Sequence, residues 1–322
     1  MLTKVLERVN RCGAVRKPTE PKPKKKTICR KNLPSIAKYI VDNNVNKIVT
    51  MGGEGMSEAA FKGIKATLSN LPKKNEALFD LERFRDDPEP FFSYARRVFP
   101  GILKPTLSHF FVRMLHEKGL LLRHYTKNLD NLERAAGIPA DKLVEAHGTF
   151  QSSHCIDCKH EYDFTWLNER IMNEIPKCEC GGVVRPDIVF FGEDLTDRFT
   201  ELGGNDLFEC DLLIVLGSSL EAQPFSSLVD KARSMVPRVM INRKIPPLGN
   251  PVLWGKGLST GWNMNALDVT FQGECDVGCA KLAEAMDWAT ELRALYNAEN
   301  GLNNGVKSLS THTSRPIGKK LL

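Results

Sequence analysis

The segment Lys47-Ile-Val-Thr-Met-Gly-Gly-Glu-Gly-Met-Ser57 decides the fold, because a short apolar run leads directly into a glycine turn that opens a helix-like stretch. Similar short apolar runs recur along the chain, at residues 120–125, 187–191, 211–216, 238–242 and 268–271. Segments of helix length separate them, which is typical of a parallel sheet covered by helices on both faces. We therefore predict a Rossmann-like, doubly wound α/β fold, whose ligands bind beyond the carboxyl ends of the strands.

The length and composition of the chain limit the classes of protein to which it can belong. The chain has 322 residues, of which 42% are hydrophobic, enough for one large domain and a small satellite. No apolar run approaches the roughly 20 residues of a membrane span, and the N-terminus lacks the apolar core of a secretory signal. We therefore expect an intracellular protein without a membrane partner.

The net charge of +6 belongs to the two ends of the chain. Residues 1–35 carry 11 basic and 2 acidic side chains, and residues 301–322 carry 4 basic and no acidic ones. This leaves 30 basic and 37 acidic side chains for residues 36–300, so the folded part is mildly acidic. Because a duplex-binding fold would present a basic stripe, we expect no direct nucleic-acid partner.

Four of the nine cysteines form a cluster, with a CxxC pair at Cys155 and Cys158, nineteen intervening residues, and then Cys178-Glu179-Cys180. Two close pairs of thiolates can hold a tetrahedral zinc ion, and four thiolates leave no open position for water or substrate. The cluster therefore predicts either a structural zinc site or, failing that, reduced free thiols.

Composition and this cluster divide the chain into four parts. We predict a disordered basic arm at 1–35, whose Lys22–Lys26 stretch is a nuclear-import patch, a patch for an acidic partner, or a plain solvated tail. The remaining parts are a discontinuous Rossmann-like domain at 36–57, 105–149 and 185–292, a small helical and zinc-binding domain inserted at 58–104 and 150–184, and a flexible tail at 293–322.

The glycine turn Gly52-Gly53-Glu54-Gly55-Met56-Ser57 is the first candidate site. Glycines allow a pyrophosphate to approach the backbone, and the following helix N-terminus favours its negative charge. Taken alone, the pattern favours an ordinary glycine turn over a dinucleotide site, because Glu58 holds the place of the third fingerprint glycine.

Polar residues follow several of the other apolar runs. Residues 125–130 read Tyr-Thr-Lys-Asn-Leu-Asp, and His147 follows the next segment as either a candidate general base or a satisfied core histidine. The segment Val184–Glu193 offers a sheet edge that could pair with an extended peptide. The turn Gly217-Ser218-Ser219-Leu220 has side chains small enough for a ribose or phosphate to approach.

Taken in order, these segments resemble the sirtuin family over roughly residues 36–292, and most closely its class I branch. The matching motifs are Thr126-Lys127-Asn128-Leu129-Asp130 for the family's Thr-Gln-Asn-Ile-Asp, Glu145-Ala146-His147-Gly148, Arg185-Pro186-Asp187-Ile188-Val189-Phe190-Phe191-Gly192-Glu193, Gly217-Ser218-Ser219-Leu220, Met240-Ile241-Asn242 and Gly273-Glu274-Cys275-Asp276.

The resemblance implies an NAD-dependent protein-lysine deacetylase or deacylase. In that scheme the acyl-lysine carbonyl oxygen attacks the nicotinamide ribose of NAD, nicotinamide leaves, and free lysine and O-acyl-ADP-ribose are the products. NAD is the co-substrate, and one structural Zn²⁺ is expected per chain. The implied partners are acylated-lysine proteins, with histones and tubulin among the candidates, and the implied location is the cytoplasm, the nucleus or both.

The resemblance also assigns residues. His147 would be the general base for a ribose hydroxyl, with Asn128 and Asp130 as the other catalytic residues, in the nicotinamide pocket. Matches to the family's NAD contacts are Gly53, Gly55, Ser57, Thr126, Lys127, Asn128, Asp130, Gly217, Ser218, Ser219, Asn242 and Cys275. Matches to the acyl-lysine tunnel and the peptide-pairing strand are Val189, Phe190, Gly192 and Glu193, and the zinc ligands would be Cys155, Cys158, Cys178 and Cys180.

The chain departs from the family around the NAD-binding loop. Phe61-Lys62-Gly63-Ile64-Lys65-Ala66 stands where the family has Gly-Ile-Pro-Asp-Phe-Arg, so an aromatic lid and an arginine are missing. Lys127 replaces a glutamine, and Glu54 places a carboxylate beside the expected phosphates. Three functions are therefore compatible with the sequence: an active deacylase, a weak or inactive sirtuin-like pseudoenzyme that binds acyl-lysine peptides or nucleotide, and a scaffold that uses only the zinc domain and the tails.

Overall fold

The structure is a computed structural model of the chain and describes residues 28, 30–61, 78–221, 223–245 and 267–301. Its strands are β1 (Ile48–Gly52), β2 (Leu121–Thr126), β3 (Leu143–Glu145), β4 (Gly148–Cys155), β5 (Glu161–Asp163), β6 (Val184–Ile188), β7 (Leu212–Leu216), β8 (Arg238–Asn242) and β9 (Val269–Gln272). Its α-helices are α1 (Leu33–Asp42), α2 (Glu54–Phe61), α3 (Leu81–Asp86), α4 (Glu89–Val98), α5 (Leu107–Glu117), α6 (Leu132–Ala135), α7 (Phe164–Ile171), α8 (Asp197–Glu209), α9 (Cys275–Ala285) and α10 (Ala289–Glu299).

Six strands form one sheet in the order β3-β2-β1-β7-β8-β9, and each neighbouring pair is parallel. Counted along the chain within this sheet, the order is 3-2-1-4-5-6, which is the doubly wound arrangement of dinucleotide-binding domains. The predicted fold class is confirmed. The order reverses between β1 and β7, so the crevice at their carboxyl ends is the expected place for a ligand.

Helices cover both faces of this sheet. Along β7, Leu212, Ile214 and Leu216 pack into a core with α1, α5 and α9, whereas Leu213 and Val215 pack into a second core that includes α8. Successive residues of a strand point to opposite faces, so a strand covered on both sides is apolar throughout. This explains why the apolar runs of the sequence predicted the parallel sheet.

A second, smaller unit contains the three-stranded antiparallel sheet β5-β4-β6 together with α3, α4 and α7. Aromatic rings fill its core, and the fully buried rings of Phe84, Phe91 and Phe190 pack edge-to-face or tilted at centroid distances of 5.2–5.3 Å. Such contacts add to the free energy gained by burying the rings.

Several predicted bounds need correction. The run at 187–191 was predicted as part of the parallel sheet, but β6 pairs antiparallel with β4 in the small sheet. Its burial alternates along Val184–Ile188, as expected for a strand with one face in a core. Helix α2 begins in the large domain and extends to residue 61. The boundary between the two domains therefore lies after residue 57, where it was predicted.

The ends of the folded part also differ from the predicted bounds. Helix α1 begins within the predicted arm, because the Asn32 side chain accepts the Ser35 N–H and Leu33 is buried. Helix α10 occupies the start of the predicted tail; Leu292 is buried, and Arg113 pairs with Glu299 at 3.0 Å. The rest of both predicted ends, at 1–27 and 302–322, lies outside the described residues. Among the described helices, none has the length and apolar character needed to cross a membrane.

Candidate functional site

The turns after β1 and β7 bind each other at the point where the strand order reverses. The Gly53 N–H donates to Leu216 O, and the Gly55 N–H donates to Gly217 O, both at 2.9 Å. A Cβ on Gly53 would lie 2.9 Å from Gly217 O, and one on Gly217 would lie 2.2 Å from Met56 N. Only glycines allow this contact, which leaves bare backbone beside the N-terminus of α2, a suitable cradle for a pyrophosphate.

We expect Gly217→Ala to weaken NAD binding by more than tenfold and to lower thermal stability. Gly217 has φ +63°, and the added Cβ would collide with Met56 N; left-handed strain alone costs about 1–3 kcal/mol. Gly204→Ala on α8 is the matched control, because nothing lies within 4 Å of its added Cβ. Calorimetric NAD titration and thermal melting of both variants make the comparison, and equal affinity in the two would contradict this description of the turn.

Asn128 ties the end of β2 to the glycine turn. Its Nδ2 donates to Gly53 O at 3.1 Å and to Ser57 Oγ at 3.2 Å, while its backbone N–H donates to Thr126 Oγ1 at 3.1 Å. Its Oδ1 is buried without a hydrogen-bond partner. A buried acceptor of this kind is costly unless a ligand or water satisfies it. Asn128 is therefore suited to receive a hydrogen bond from a ligand in the crevice.

Asp130 lies beside Asn128 and is 6% exposed. Its Oδ1 accepts the Leu132 N–H at 3.1 Å, and its carboxyl also hydrogen-bonds to Ser57. Burial, followed by the negative charge of Glu133, raises the pKa of Asp130 to about 7. The carboxyl can therefore hold a proton close to neutral pH.

His147 is half-buried just after β3, and its backbone O accepts the Val189 N–H at 2.9 Å. Its ring centroid is 6.4 Å from that of Phe225. Burial, followed by the positive charge of Lys127, lowers the pKa of His147 below its usual range. The imidazole is therefore neutral at pH 7, the form in which a histidine can accept a proton.

Lys127 and Glu54 form an ion pair at the mouth of the crevice, with Nζ and Oε1 3.1 Å apart. The Glu54 side chain is 88% exposed, whereas that of Lys127 is only 13% exposed. The lysine thus partly neutralises the carboxylate that the sequence places at the start of α2. The loop that departs from the family lies mostly at residues 62–66, outside the described residues.

On the far side of the crevice, the predicted contacts Ser218, Asn242 and Cys275 come together. Asn242 Nδ2 donates to Ser218 O at 3.0 Å, and Cys275 Sγ is 3.5 Å from Ile241 O; Ser219 is half-buried next to Ser218. The sequence reasoning missed Arg243, which directly follows the matched Asn242. Its guanidinium pairs with one carboxylate on α2 and another just before α9, those of Glu58 at 2.5 Å and Glu274 at 2.8 Å.

The predicted peptide-binding strand leads out of β6 and runs beside His147. Phe190 is 1% exposed and its ring lies in the aromatic core, where the Arg185 guanidinium stacks 4.3 Å from it. Arg185 also pairs with Glu193 at 2.6 Å, and the other Glu193 oxygen accepts the Phe190 N–H at 2.8 Å. Val189 is half-buried and Gly192 is exposed. The exposed ring is that of Phe191, at 60%, which the prediction did not assign.

The four clustered cysteines meet as predicted, with their Sγ atoms all within 4.8 Å of one another. Cys155 and Cys180 Sγ are 3.5 Å apart, as are Cys158 and Cys178 Sγ. A tetrahedral ion with bonds of about 2.3 Å requires sulfurs about 3.8 Å apart, so the cluster fits zinc with little adjustment. Tyr162 Oη donates to Cys178 Sγ at 3.1 Å. This hydrogen bond would orient the Cys178 thiolate as a zinc ligand.

A buried polar group beneath the crevice was not predicted. It consists of His109 on α5, His124 on β2 and Glu133 on α6, each no more than 2% exposed. The sequence held one signal, because His124 interrupts an otherwise apolar run at 120–125. Nothing in the sequence linked it to His109 or Glu133.

Comparison with known proteins agrees with this geometry. A family model described as the Sir2 family matches residues 59–224. The chain is 42% identical over 300 residues to NAD-dependent protein deacetylase sirtuin-2 of Danio rerio, covering 87% of this chain and 78% of the relative. It is 39% identical over 285 residues to NAD-dependent protein deacetylase sirtuin-3 of Mus musculus, covering 85% and 82%. It is 42% identical over 279 residues to NAD-dependent protein deacetylase hst2-1 of Emericella nidulans, covering 83% and 73%.

The family model covers the His147 strand end and the cysteine cluster, and these relatives match 83–87% of the chain. The chain belongs to the Sir2 family, the sirtuins.

Proposed function

We propose that this protein is an NAD-dependent protein-lysine deacetylase, which transfers the acyl group of an acyl-lysine to ADP-ribose and releases nicotinamide. One observation carries the proposal: a phosphate cradle, an orphaned amide oxygen and a neutral histidine follow three adjacent parallel strands, at Gly53, Asn128 and His147. The names of the relatives, each an NAD-dependent protein deacetylase, support the same reaction.

Each group has a separate task in this reaction. NAD supplies an electrophilic ribose carbon and nicotinamide as the leaving group. The glycine turns at Gly53, Gly55 and Gly217 would leave room for the phosphates beside the N-terminus of α2, while Asn128 and Asp130 would orient the nicotinamide end. His147 takes the proton of a ribose hydroxyl, which is possible because its imidazole is neutral near pH 7.

The acyl-lysine peptide lies along the segment from Val189 to Glu193. This segment leaves edge strand β6 of the small sheet and is joined to the His147 backbone by the Val189 N–H bond of 2.9 Å. An extended peptide can pair with such an edge through main-chain hydrogen bonds. The peptide is then close to the base, and the Arg185–Glu193 pair fixes the loop that follows.

Zinc has a structural role in this protein. The four thiolates of Cys155, Cys158, Cys178 and Cys180 would hold the ion and would leave no position for substrate. Such a site requires reduced thiols, which supports a location in the cytoplasm or nucleus.

We expect Lys127→Gln to move the acidic limb of the pH–kcat/KM profile to higher pH. The positive charge of Lys127 lowers the pKa of His147, so its removal raises that pKa, and the imidazole becomes protonated at a higher pH as the solution is acidified. Glu54→Gln is the matched control and should move the limb to lower pH, because Glu54 acts on His147 in the opposite sense. Limbs that move together, or not at all, would contradict this assignment of the base.

The function itself is tested with acetyl-lysine peptides from histone tails and from tubulin, which are the candidate substrates. Zinc-loaded protein is incubated with each peptide with and without NAD, and peptide masses are measured. Loss of the acetyl group only when NAD is present is the expected result. A matched series of longer acyl chains on the best peptide then defines acyl preference. Peptide binding without turnover in any mixture would favour the pseudoenzyme instead.

A further inference from the structure

The buried polar group of His109, His124 and Glu133 lies together with Asp130 directly below the nicotinamide end of the crevice. His109 and His124 are fully buried, Glu133 is 2% exposed, and Asp130 is 6% exposed. His109 Nε2, His124 Nε2 and Glu133 Oε1 have no hydrogen-bond partner at normal distance. Unpaired buried polar atoms are expensive, so several of them in one place call for an explanation.

The tautomer of His109 is fixed by the start of helix α5. Its Nδ1 accepts the Thr106 N–H at 3.1 Å, and it lies 2.8 Å from Thr106 Oγ1. Because Nδ1 is an acceptor, the neutral ring carries its proton on Nε2. That N–H is directed into the buried group, where the nearest ligand atoms of Asp130 and Glu133 lie within 4.8 Å.

His124 directs a second N–H to the same place. Its Nδ1 is 2.6 Å from Thr50 Oγ1 on the neighbouring strand, and its Nε2 is 3.6 Å from Glu133 Oε1. The contact to Glu133 requires a proton on Nε2, while Nδ1 is hydrogen-bonded to the Thr50 hydroxyl. Two histidine N–H groups therefore face the Glu133 carboxylate, which also hydrogen-bonds to Thr126.

His109, Asp130 and Glu133 are also residue types that hold metal ions, and their atoms are close enough to share one. Metal ligation through His109 would require an unprotonated Nε2, and therefore a proton on Nδ1 facing the Thr106 N–H. The helix-capping hydrogen bond prevents that. The group is therefore a polar network rather than a metal site.

The carboxyl groups of Glu133 and Asp130 have different electrostatic environments. Burial alone would raise the pKa of Glu133, but the His124 ring, with Nε2 3.6 Å from Oε1, and the neighbouring His109 ring hold that pKa below its usual range, so Glu133 is an anion. Burial, followed by the fixed charge of Glu133, raises the pKa of Asp130, and these outweigh the hydrogen bonds from Ser57 and from the backbone N–H groups of Leu132 and of Asp130 itself. When the environments of two neighbouring carboxyls differ in this way, one is ionised and the other holds the proton. Here Glu133 is the ionised carboxylate and Asp130 is the protonated carboxyl.

We propose that Glu133, supported by His109 and His124, is a positioning residue that keeps Asp130 protonated when the nicotinamide end of NAD enters the site. The proposal rests on the proposed function for the identity of the ligand. A protonated carboxyl offers one donor and one acceptor, which matches the donor and acceptor of a carboxamide. An ionised Asp130 would offer acceptors only.

The remaining charged or titratable groups near Asp130 do not replace Glu133 in this role. Tyr94 on α4 faces Asp130 and Glu54, and burial raises the pKa of its phenol to about 12, so it stays neutral. Burial lowers the pKa of His109 to about 4, so that ring is neutral at physiological pH. The Lys127–Glu54 pair lies at the mouth and carries opposite charges.

The test is a ¹³C NMR titration of the carboxyl groups in the zinc-loaded protein between pH 5 and 9. The Asp130 resonance is identified by its loss in Asp130→Asn, and the Glu133 resonance by its loss in Glu133→Gln. We expect Asp130 to titrate near neutral pH while Glu133 remains ionised throughout. In Glu133→Gln the Asp130 midpoint should fall by about one pH unit or more. Glu209→Gln, on the surface beside Lys47, should leave it unchanged.

Nicotinamide binding tests whether the protonation state of Asp130 affects recognition of the ligand. The affinity of nicotinamide for the wild-type protein should fall as the pH rises through the Asp130 midpoint, and this dependence should move with the midpoint in Glu133→Gln. An Asp130 resonance that titrates like an ordinary carboxyl would overturn the proposal, as would an unshifted midpoint in a folded Glu133→Gln protein. If that variant does not fold, Glu133→Asp takes its place in the assignment and in the comparison of Asp130 midpoints, and the wild-type Asp130 titration must still lie near neutral pH. These readouts need no turnover, so failure of the deacetylase assay would be seen separately.

Discussion

His147→Ala should lower kcat/KM for deacetylation by at least about 100-fold while leaving peptide affinity nearly unchanged. The loss follows because a positioned base contributes about 10²–10⁴-fold to a proton transfer. Peptide binding should persist because the contact to the peptide strand is made by the His147 backbone O, which alanine retains. Initial rates with acetyl-lysine peptide and NAD, together with calorimetric peptide affinity, provide the two measurements.

The control for this substitution is His116→Ala. His116 lies in the last turn of α5, which leads into the amino end of β2, so it is at the opposite edge of the sheet from the crevice. It should retain the wild-type rate. A His147→Ala protein with more than a tenth of the wild-type kcat/KM would show that another group is the base.

Cys178→Ser should remove most of the zinc and lower the thermal midpoint by on the order of 10 °C. Cys178 Sγ is 3.5 Å from Cys158 Sγ and receives the Tyr162 hydroxyl bond, so its loss breaks one corner of the tetrahedron. Metal binding to such sites is coupled to folding, and several kcal/mol are lost with the ion. Elemental analysis and thermal melting measure the two effects.

Cys210→Ser is the matched control, because Cys210 is buried in the large domain and lies outside the cluster. It should keep about one zinc per chain even if packing suffers. Wild-type protein that folds with well under one zinc per chain would contradict the structural role of the metal.

The sequence predicted the parallel sheet well because strands such as β7 are buried on both faces and therefore read as continuous apolar runs. The same rule misplaced the segment around β6, since a short apolar run does not reveal whether one face or two are covered. Buried and half-buried residues alternate along Val184–Ile188, because β6 pairs antiparallel with β4 in the small sheet and has one face in a core.

The site was predictable where its chemistry is local. The cysteine spacing identified the four thiols, and the glycine turn identified the cradle. The network of His109, His124 and Glu133 was not predictable, because helix packing brings together residues that are far apart in the chain. Lys127 and Glu54 were each noted as unusual, but only the structure shows that they pair, at 3.1 Å.

The altered loop after α2 remains the basis of a separate hypothesis. If the missing aromatic lid and arginine leave the reacting atoms less well fixed, turnover should be slow, since looseness of about 1 Å can cost on the order of 100-fold in rate. NAD affinity would then be weaker than peptide affinity. Equal NAD affinity and turnover in a side-by-side assay with a sirtuin that has an intact loop would refute this hypothesis.

The most direct test of the account is the stoichiometry of the products formed by purified, zinc-loaded protein from NAD and an acetyl-lysine peptide. Chromatography and mass spectrometry would quantify nicotinamide, free-lysine peptide and O-acetyl-ADP-ribose at several time points. The account predicts that the three appear in equal amounts, and that none forms without the peptide. Free acetate released without consumption of NAD, or nicotinamide released without loss of the acetyl group, would contradict it.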